Sequence, residues 1–175
     1  AVSGFSGGGN KMIARQAQGE LPAYGSYGVT LAHKHLPEMV SYSRLSNAPI
    51  FMPAVANFYS GMLVNIPLHK AQLAKSATGQ DLHDCLAAHF YGPGLVRMAG
   101  AYAINDALLA NNLVVADGLA NADHMELSVF ANKNNTQFWL LARLDNLGKG
   151  ASGAAVQNMN IALGLDEMMG LNPGA

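Results

Sequence analysis

The sequence is poor in charge and has almost no cysteine. Charged residues make up 12% of its 175 residues, and the formal net charge is -1, whereas an average soluble domain has about 25% charged residues. No run of basic residues that could follow a phosphate backbone occurs, which argues against a nucleic-acid partner. Because so few charges are available for the surface, we expect a second subunit or a neighbouring domain to cover part of it.

The single cysteine, Cys85, excludes an intrachain disulfide and is typical of a reducing compartment. The sequence also lacks a secretory leader pattern and any apolar run near the roughly 18 residues of a membrane-spanning helix. These absences predict a cytoplasmic protein with no membrane partner. Residues 1–3 have the pattern of a strand end and include no Met, so we expect an upstream part to be missing.

A glycine-rich stretch, residues 3–10, precedes a segment of helical composition that stops at Gly19. Strand, glycine loop and helix in this order can cradle an anion, because backbone N–H groups and the helix N-terminus both face it. Gly4 and Gly9 have the spacing of a P-loop, but Asn10 occupies the position of its lysine. The pattern therefore leaves open both a phosphate site and a plain tight turn.

Residues 25–38 concentrate groups suited to proton transfer, namely Tyr27, His33, His35 and Glu38. The Leu-Pro step at 36–37 predicts an extended segment that turns into a helix over 37–45. Residues two apart in an extended segment share a face, so we expect both imidazoles to point the same way, with Glu38 in the first helical turn. Histidine beside a carboxylate is a common pair for general acid–base chemistry.

Two other interpretations of these residues are open at this stage. A histidine pair next to a turn can be hydrogen-bonded structure and nothing more. His33, His35 and Glu38 are also ligand types that zinc accepts, but the H-E-x-x-H spacing is absent and the remaining histidines are scattered. We therefore predict no metal site.

The remaining pattern predicts several further elements. Strands at 49–58 and 62–68, joined by residues 59–61, contain prolines, which indicates edge or bulged positions. A helix over 79–91 places Cys85 on an apolar face, where it serves packing rather than catalysis. A short strand is expected at 95–98, and the clearest hairpin pairs 125–131 with 137–144.

The last element combines a glycine-rich turn, 145–150, with a helix over 151–164 that is rich in Ala, Gly and Ser. Such a helix lets another backbone approach closely. It is either a buried packing helix or a helix beside a cofactor, with Gln157, Asn158 and Asn160 as polar contacts. Helical spacing does not separate these two interpretations.

Three stretches together resemble N-acetyl-gamma-glutamyl-phosphate reductase in its shorter, second type. They are V-S-G-F-S-G-G-G at 2–9, H-K-H-L-P-E at 33–38, and D-N-L-G-K-G-A with V-Q-N-M-N at 145–160. The resemblance implies that residues 1–175 form a single substrate-binding and dimerisation domain of the kind found at the C-terminus of glyceraldehyde-3-phosphate dehydrogenase. That fold is α+β, a mixed and largely antiparallel sheet with helices packed on it. Segment 145–165 is then expected to pack on an N-terminal NADP-binding domain absent from this chain.

The resemblance also implies a function, the NADPH-dependent reduction of N-acetyl-gamma-glutamyl phosphate to N-acetylglutamate semialdehyde in arginine biosynthesis. The family's nucleophilic cysteine belongs to a P-G-C motif that is absent here, so the fragment alone should be inactive. Matched by position, the general base is His33, and the side chains lining the substrate pocket are Ser3, Tyr27, His35 and Glu38. An amide near the nicotinamide comes from Gln157 or Asn158. NADP(H) itself is bound mainly by the absent domain.

The implied partners are a small acyl phosphate, further copies of the chain as a dimer or tetramer, and the missing nucleotide domain. Two alternatives are kept beside this function. One is reduction of a related acyl phosphate, aminoadipyl or aspartyl; the other is a non-catalytic dimerisation or binding module. Arg44, Arg97 and Arg143 are candidates for binding a substrate carboxylate, because a guanidinium matches it with two parallel donors.

Overall fold

The computed structural model describes residues 1–73, 76–102 and 113–174. In these ranges seven strands form one sheet, with the order β2-β3-β1-β4-β7-β6-β5. The strands are β1 (Val2–Gly4), β2 (Tyr24–Ser26), β3 (Ala54–Ala56), β4 (Met62–His69), β5 (Val96–Met98), β6 (Met125–Ala131) and β7 (Gln137–Leu144). The helices are α1 (Gly9–Ala17), α2 (Leu36–Ser43), α3 (Gly79–His89) and α4 (Gly153–Ala162).

The sheet is mixed. β1 pairs with β3 and β5 with β6 in parallel, while the four other neighbouring pairs are antiparallel. This arrangement confirms the predicted α+β class with a largely antiparallel sheet. None of the helices in the described ranges is long and apolar enough to cross a bilayer.

The β6–β7 hairpin has the predicted bounds and forms the centre of the core. Its turn is closed by the Asn132 side chain, whose Oδ1 accepts hydrogen bonds from the amides of Thr136 (2.8 Å) and Gln137 (3.2 Å). The strands bury Val129, Phe138, Leu141 and Leu144, and the neighbouring β4 adds Leu63. Alternating apolar residues and a strong turn signal therefore fix this hairpin locally.

The strands predicted at 49–58 and 62–68 form, but they are not neighbours in the sheet. β1 lies between them, because Val2 pairs with Ala54 of β3 on one side and with Leu63 of β4 on the other. β3 is also only three residues long. Pro67 lies in the part of β4 that pairs with β7 and not with β1, which agrees with the edge position that prolines indicate.

Helix α3 confirms the predicted start at Gly79 and ends at His89. Its first turn is capped by Thr78, whose Oγ1 accepts a hydrogen bond from the Asp81 amide (3.2 Å). The prediction that Cys85 packs on the apolar face is wrong, because Cys85 is exposed. At 100° per residue the half-buried Leu82, Leu86 and Phe90 define the inward face, and Cys85 lies well beyond the edge of that face.

Candidate active site

The glycine-rich stretch forms a tight turn around Ser3. β1 runs into a 3-10 turn, Phe5–Gly8, and α1 begins at Gly9. A Cβ at Gly4 would lie 2.4 Å from the Tyr59 carbonyl oxygen, and one at Gly7 would lie 2.7 Å from Ser3 Oγ. Ser3 is buried, and its hydroxyl donates to the Gly4 carbonyl (2.9 Å). The predicted strand–turn–helix order is confirmed, and only glycine fits where the turn closes on Ser3.

His33 lies at the centre of a cluster of rings. Its ring centroid is 4.9 Å from that of His35, 5.0 Å from Phe51 and 5.8 Å from Tyr27. The rings of His33 and His35 meet edge to face, as do those of His33 and Phe51. The structure therefore brings Tyr27, His33 and His35 together, and the neighbouring rings restrict the orientation of the central imidazole.

The predicted extended segment before α2 is wrong, since the two histidines lie in a turn. His35 has helical dihedral angles, φ -85° and ψ -9°, and α2 begins at Leu36, one residue before the proline. The Leu36 amide donates to the His33 carbonyl (2.9 Å), and the His35 amide donates to His33 Nδ1 (3.3 Å). The turn, rather than a shared strand face, places the imidazoles side by side.

Ser3 lies on the inner strand β1, and Tyr27 of the ring cluster directly follows the edge strand β2. Ser3 is in register with Val55 of β3, and Val55 is in register with Gly25 of β2. Two strand spacings, roughly 10 Å, therefore separate Ser3 from the strand that leads directly into Tyr27. Glu38 lies in the first turn of α2, as predicted.

Segment 145–152 is anchored by Asp145, whose side chain is 2% exposed. Its Oδ1 accepts from the Leu147 amide (2.8 Å) and its Oδ2 from the Asn121 amide (2.6 Å). Ser60 Oγ is also 3.5 Å from Oδ2. The neighbouring Asn146 is buried and contacts the loop before β4 and the glycine-rich turn. Asp145 and Asn146 open the glycine-rich motif at 145–150, but the sequence pattern predicts no role for either residue.

The three amide side chains of helix α4 differ in their burial and in their hydrogen bonds. Gln157 accepts a hydrogen bond from Lys149 Nζ and donates to Glu167 Oε2 (3.1 Å). Asn158 is exposed. Asn160 is buried, and its Nδ2 donates to the carbonyls of Glu167 (3.2 Å) and Met169 (2.9 Å). Asn160 therefore holds the chain that follows α4, and Asn158 is the amide left on the surface.

Two of the three candidate arginines belong to an ion cluster on β5, β6 and β7. Arg143 Nη2 donates to Glu126 Oε2 (2.6 Å), and Arg97 Nη2 lies 2.9 Å from His124 Nε2 and 4.0 Å from Glu126 Oε1. Burial alone would raise the pKa of Glu126, but Arg143 and His124 outweigh it and hold that pKa below its ordinary value. Arg44 lies elsewhere, exposed at the end of α2.

His124 is the buried member of this cluster, with 2% exposure and an Nδ1 that has no hydrogen-bond partner in the described ranges. Burial lowers the pKa of His124, and the charge of Arg97 lowers it further against the opposing effect of Glu126. The folded chain therefore binds a proton at His124 less readily than the unfolded chain. The stability that neutral His124 contributes is complete above the ordinary histidine pKa of about 6.5 and is lost as the pH falls below it.

We expect the urea midpoint of the wild-type chain to fall as the pH is lowered from about 7.5 to about 5.5. His124→Gln should show a smaller fall over the same interval, because the titrating group is gone. The control is His89→Gln, which changes an exposed histidine on α3 and should keep the wild-type pH dependence. An unchanged pH dependence in His124→Gln would contradict this account of the cluster.

No group of three or more His, Cys, Asp or Glu side chains comes together as a metal site within residues 1–73, 76–102 and 113–174. The rings of His33 and His35 are neighbours, but they contact each other edge to face. The imidazole held among rings suits proton transfer, and the tight glycine turn after β1 is a separate feature of a kind that can face an anion.

Comparison with known proteins gives the family. A family model described as "Semialdehyde dehydrogenase, dimerisation domain" matches residues 1–146. N-acetyl-gamma-glutamyl-phosphate reductase of Rhizobium rhizogenes is 45% identical over 168 residues, which are 93% of this chain and 53% of the relative. The reductase of Trichormus variabilis is 42% identical over 179 residues, 98% of this chain and 55% of the relative.

A relative from a Nostoc species, named N-acetyl-gamma-glutamyl-phosphate reductase 2, is 41% identical over 179 residues, 98% of this chain and 55% of the relative. The chain thus spans about half the length of the curated relatives it matches. The family match covers β1 to β7 and the His33 cluster. The chain belongs to the semialdehyde dehydrogenase dimerisation-domain family.

Proposed function

We propose that the protein containing this chain reduces N-acetyl-gamma-glutamyl phosphate to N-acetylglutamate semialdehyde with NADPH, in arginine biosynthesis. The observation that carries the proposal is the His33 ring cluster, in a chain 41% to 45% identical to reductases of that name. The relatives are nearly twice as long as the region matched here. The nucleophilic cysteine and most NADP(H) contacts are therefore assigned to a nucleotide-binding domain outside this chain.

His33 is proposed as the general base. A cysteine thiol must lose its proton before it attacks the acyl carbon and displaces phosphate, and an imidazole is the side chain suited to take that proton near neutral pH. The ring contacts with His35, Phe51 and Tyr27 support this role, because a base acts only when its orientation is fixed. NADPH, when bound, supplies the hydride that reduces the acyl carbon.

The pocket for the acyl phosphate is proposed to lie between the glycine-rich turn and the N-terminus of α2. Ser3, Tyr27, His35 and Glu38 would line it. Helix α1 starts directly after the turn, and a helix N-terminus favours the phosphate end of the substrate. Arg44 remains a candidate for the substrate carboxylate, because Arg97 and Arg143 lie in the ion cluster with Glu126.

Segment 145–165 is proposed to pack on the nucleotide domain. Met159 in α4 and Leu163 at its C-terminal cap are four residues apart, so they lie on one side of the helix, and both are exposed. Exposed apolar side chains on one face are typical of an interface. The amide that faces the nicotinamide is proposed to be Asn158, since the Gln157 side chain is occupied by Lys149 and Glu167. We also propose a cytoplasmic location, where the thiols of Cys85 and of the catalytic cysteine stay reduced.

A second copy of the chain is proposed to pack on the sheet face that carries Trp139. Trp139 is paired with Phe130 across the strands, and their ring centroids are 5.0 Å apart. Helix α3 covers the opposite face, because Gly79 packs against Ala131, the neighbour of Phe130 along β6. Trp139 is 39% exposed, and the two aromatic rings border a shallow cavity of about 190 Å³.

The dimer is tested by Trp139→Glu. A buried charge in place of an aromatic anchor should raise the dimer dissociation constant about 30- to 1,000-fold, the range of an interface hot spot. Sedimentation equilibrium measures it, with Tyr91→Glu as the control, because Tyr91 is 93% exposed in the loop after α3. A wild-type dissociation constant in Trp139→Glu would place the interface elsewhere.

Genetic complementation tests the proposed function. The complete gene product should restore growth without arginine to a bacterial strain that lacks N-acetyl-gamma-glutamyl-phosphate reductase. Rescue of a strain that lacks aspartyl-phosphate reductase, and not of the first strain, would assign the related acyl phosphate instead. Rescue of neither strain by a well-expressed protein would contradict reduction of either substrate and favour the non-catalytic module.

A further inference from the structure

Asn146 joins two loops that are far apart in the sequence. Its Oδ1 accepts a hydrogen bond from the Gly61 amide (2.8 Å), and its Nδ2 donates to Ser6 Oγ (3.0 Å). Both side chains of the second hydrogen bond are buried, since Asn146 is 7% exposed and Ser6 is 5% exposed. One side chain thus connects the terminal segment, the loop before β4 and the glycine-rich turn.

The backbone already attaches the glycine-rich turn to the loop before β4. Gly4 donates to the Gly61 carbonyl (2.9 Å), Phe5 to the Phe58 carbonyl (2.9 Å), and Ser6 to the Tyr59 carbonyl (3.1 Å). These bonds set the path of the turn relative to the sheet. The Asn146 amide adds a restraint of another kind, because it comes from the segment that leads into α4.

The restraint acts at the point where the turn encloses Ser3. A Cβ at Gly7 would lie 2.7 Å from Ser3 Oγ and 3.6 Å from Asn146 Nδ2. Gly7 is therefore packed between the Ser3 hydroxyl and the Asn146 amide, and none of the three groups has room to shift. A movement of the Asn146 side chain displaces Ser6 and Gly7, and with them the backbone that closes around Ser3.

We propose that Asn146 is a positioning residue, which holds the glycine-rich turn in the shape that binds the phosphate of the substrate. This role rests on the proposed function. Asn146 does not touch the reacting atoms in this assignment; it acts through Ser6. It also couples the phosphate end of the pocket to the segment that carries the proposed cofactor contact.

The test uses the complete gene product in the oxidation direction, with N-acetylglutamate semialdehyde, NADP and inorganic phosphate. Ser6→Ala and Asn146→Ala should each raise the KM for phosphate about 3- to 10-fold, the loss expected from one hydrogen bond. The KM for NADP should stay within about twofold. The double variant should be no worse than Asn146→Ala, because both substitutions break the same contact.

Two further variants separate positioning from general destabilisation. Asn146→Asp keeps both contacts but adds a buried negative charge beside the turn, so its KM for phosphate should rise at least as much as in Asn146→Ala, while its KM for NADP stays near wild type. Asn132→Ala removes hydrogen bonds from the β6–β7 turn and should lower stability without changing the KM for phosphate. Ser6→Ala, a small change, keeps the test valid if Asn146→Ala does not fold.

The outcomes are distinguishable. An active wild type with an unchanged KM for phosphate in Ser6→Ala overturns the positioning role and leaves the proposed function intact. Parallel rises in the KM values for phosphate and NADP overturn it as well, since they indicate a general loss of structure. An inert wild type overturns the proposed function, and the positioning role falls with it.

Discussion

Replacing His33 with alanine in the complete gene product lowers kcat by about 10²- to 10⁴-fold, the range expected when a general base is removed. The imidazole is held at the centre of the rings of Tyr27, His35 and Phe51. The initial rate of NADP reduction at saturating phosphate and semialdehyde measures the loss.

Two other histidine variants make the result specific. His35→Ala removes the edge-to-face contact with His33 and should cost less than His33→Ala, because His35 is assigned to the substrate pocket. His89→Ala changes an exposed histidine on α3 and should retain wild-type kcat. A His33→Ala variant with kcat within threefold of wild type would contradict the assignment and make His35 the next candidate for the base.

Replacing Asp145 with alanine lowers the free energy of unfolding of the chain by about 3–5 kcal/mol. The carboxylate is 2% exposed and accepts hydrogen bonds from the amides of Asn121 and Leu147. Without it, two partly buried backbone donors lose their partner, at a cost of about 1–3 kcal/mol for each. Urea denaturation followed by circular dichroism measures the loss.

Asp84→Ala is the matched control, because Asp84 lies on α3 with an exposed side chain that contacts His83 and Gln80. A surface change of this kind should alter stability by no more than about 0.5 kcal/mol. Losses of similar size in Asp84→Ala and Asp145→Ala would contradict the claim that Asp145 anchors segment 145–152. A loss under about 1 kcal/mol in Asp145→Ala would have the same meaning.

Sequence alone predicted the elements whose signals are local. The β6–β7 hairpin follows from alternating apolar residues around Asn132, whose side chain closes the turn. Helix α3 follows from a helical apolar period after Thr78, which caps it. In both cases the residues that determine the structure lie within a few positions of one another, so the pattern is visible without knowledge of the rest of the chain.

Sheet order could not be predicted in the same way. β1 lies between β3 and β4 because Val2 pairs with both Ala54 and Leu63. The sequence of a short strand does not indicate which strands it pairs with. The prediction that Cys85 is packed was wrong for a related reason. A helix with apolar residues over a wide arc has more than one plausible inward face, and packing on β5 and β6 selects the face of Leu82, Leu86 and Phe90.

For the candidate site, residue types were more informative than local geometry. Tyr27, His33 and His35 were predicted to act together and are brought together, although by a turn and not by an extended segment. The roles of Asp145 and Asn146 were not predicted. Asn146 contacts residues 85 and 140 positions away in the sequence. Residue spacing within a motif cannot predict contacts over such distances.

The most direct test of the central claim is the phosphate dependence of NADP reduction by N-acetylglutamate semialdehyde, with the complete gene product. In this direction the reductase forms an acyl phosphate, so the account predicts a rate that rises from near zero and saturates with added phosphate. A rate independent of phosphate would indicate hydrolysis rather than phosphate capture. No reduction at any phosphate concentration would contradict the proposed function.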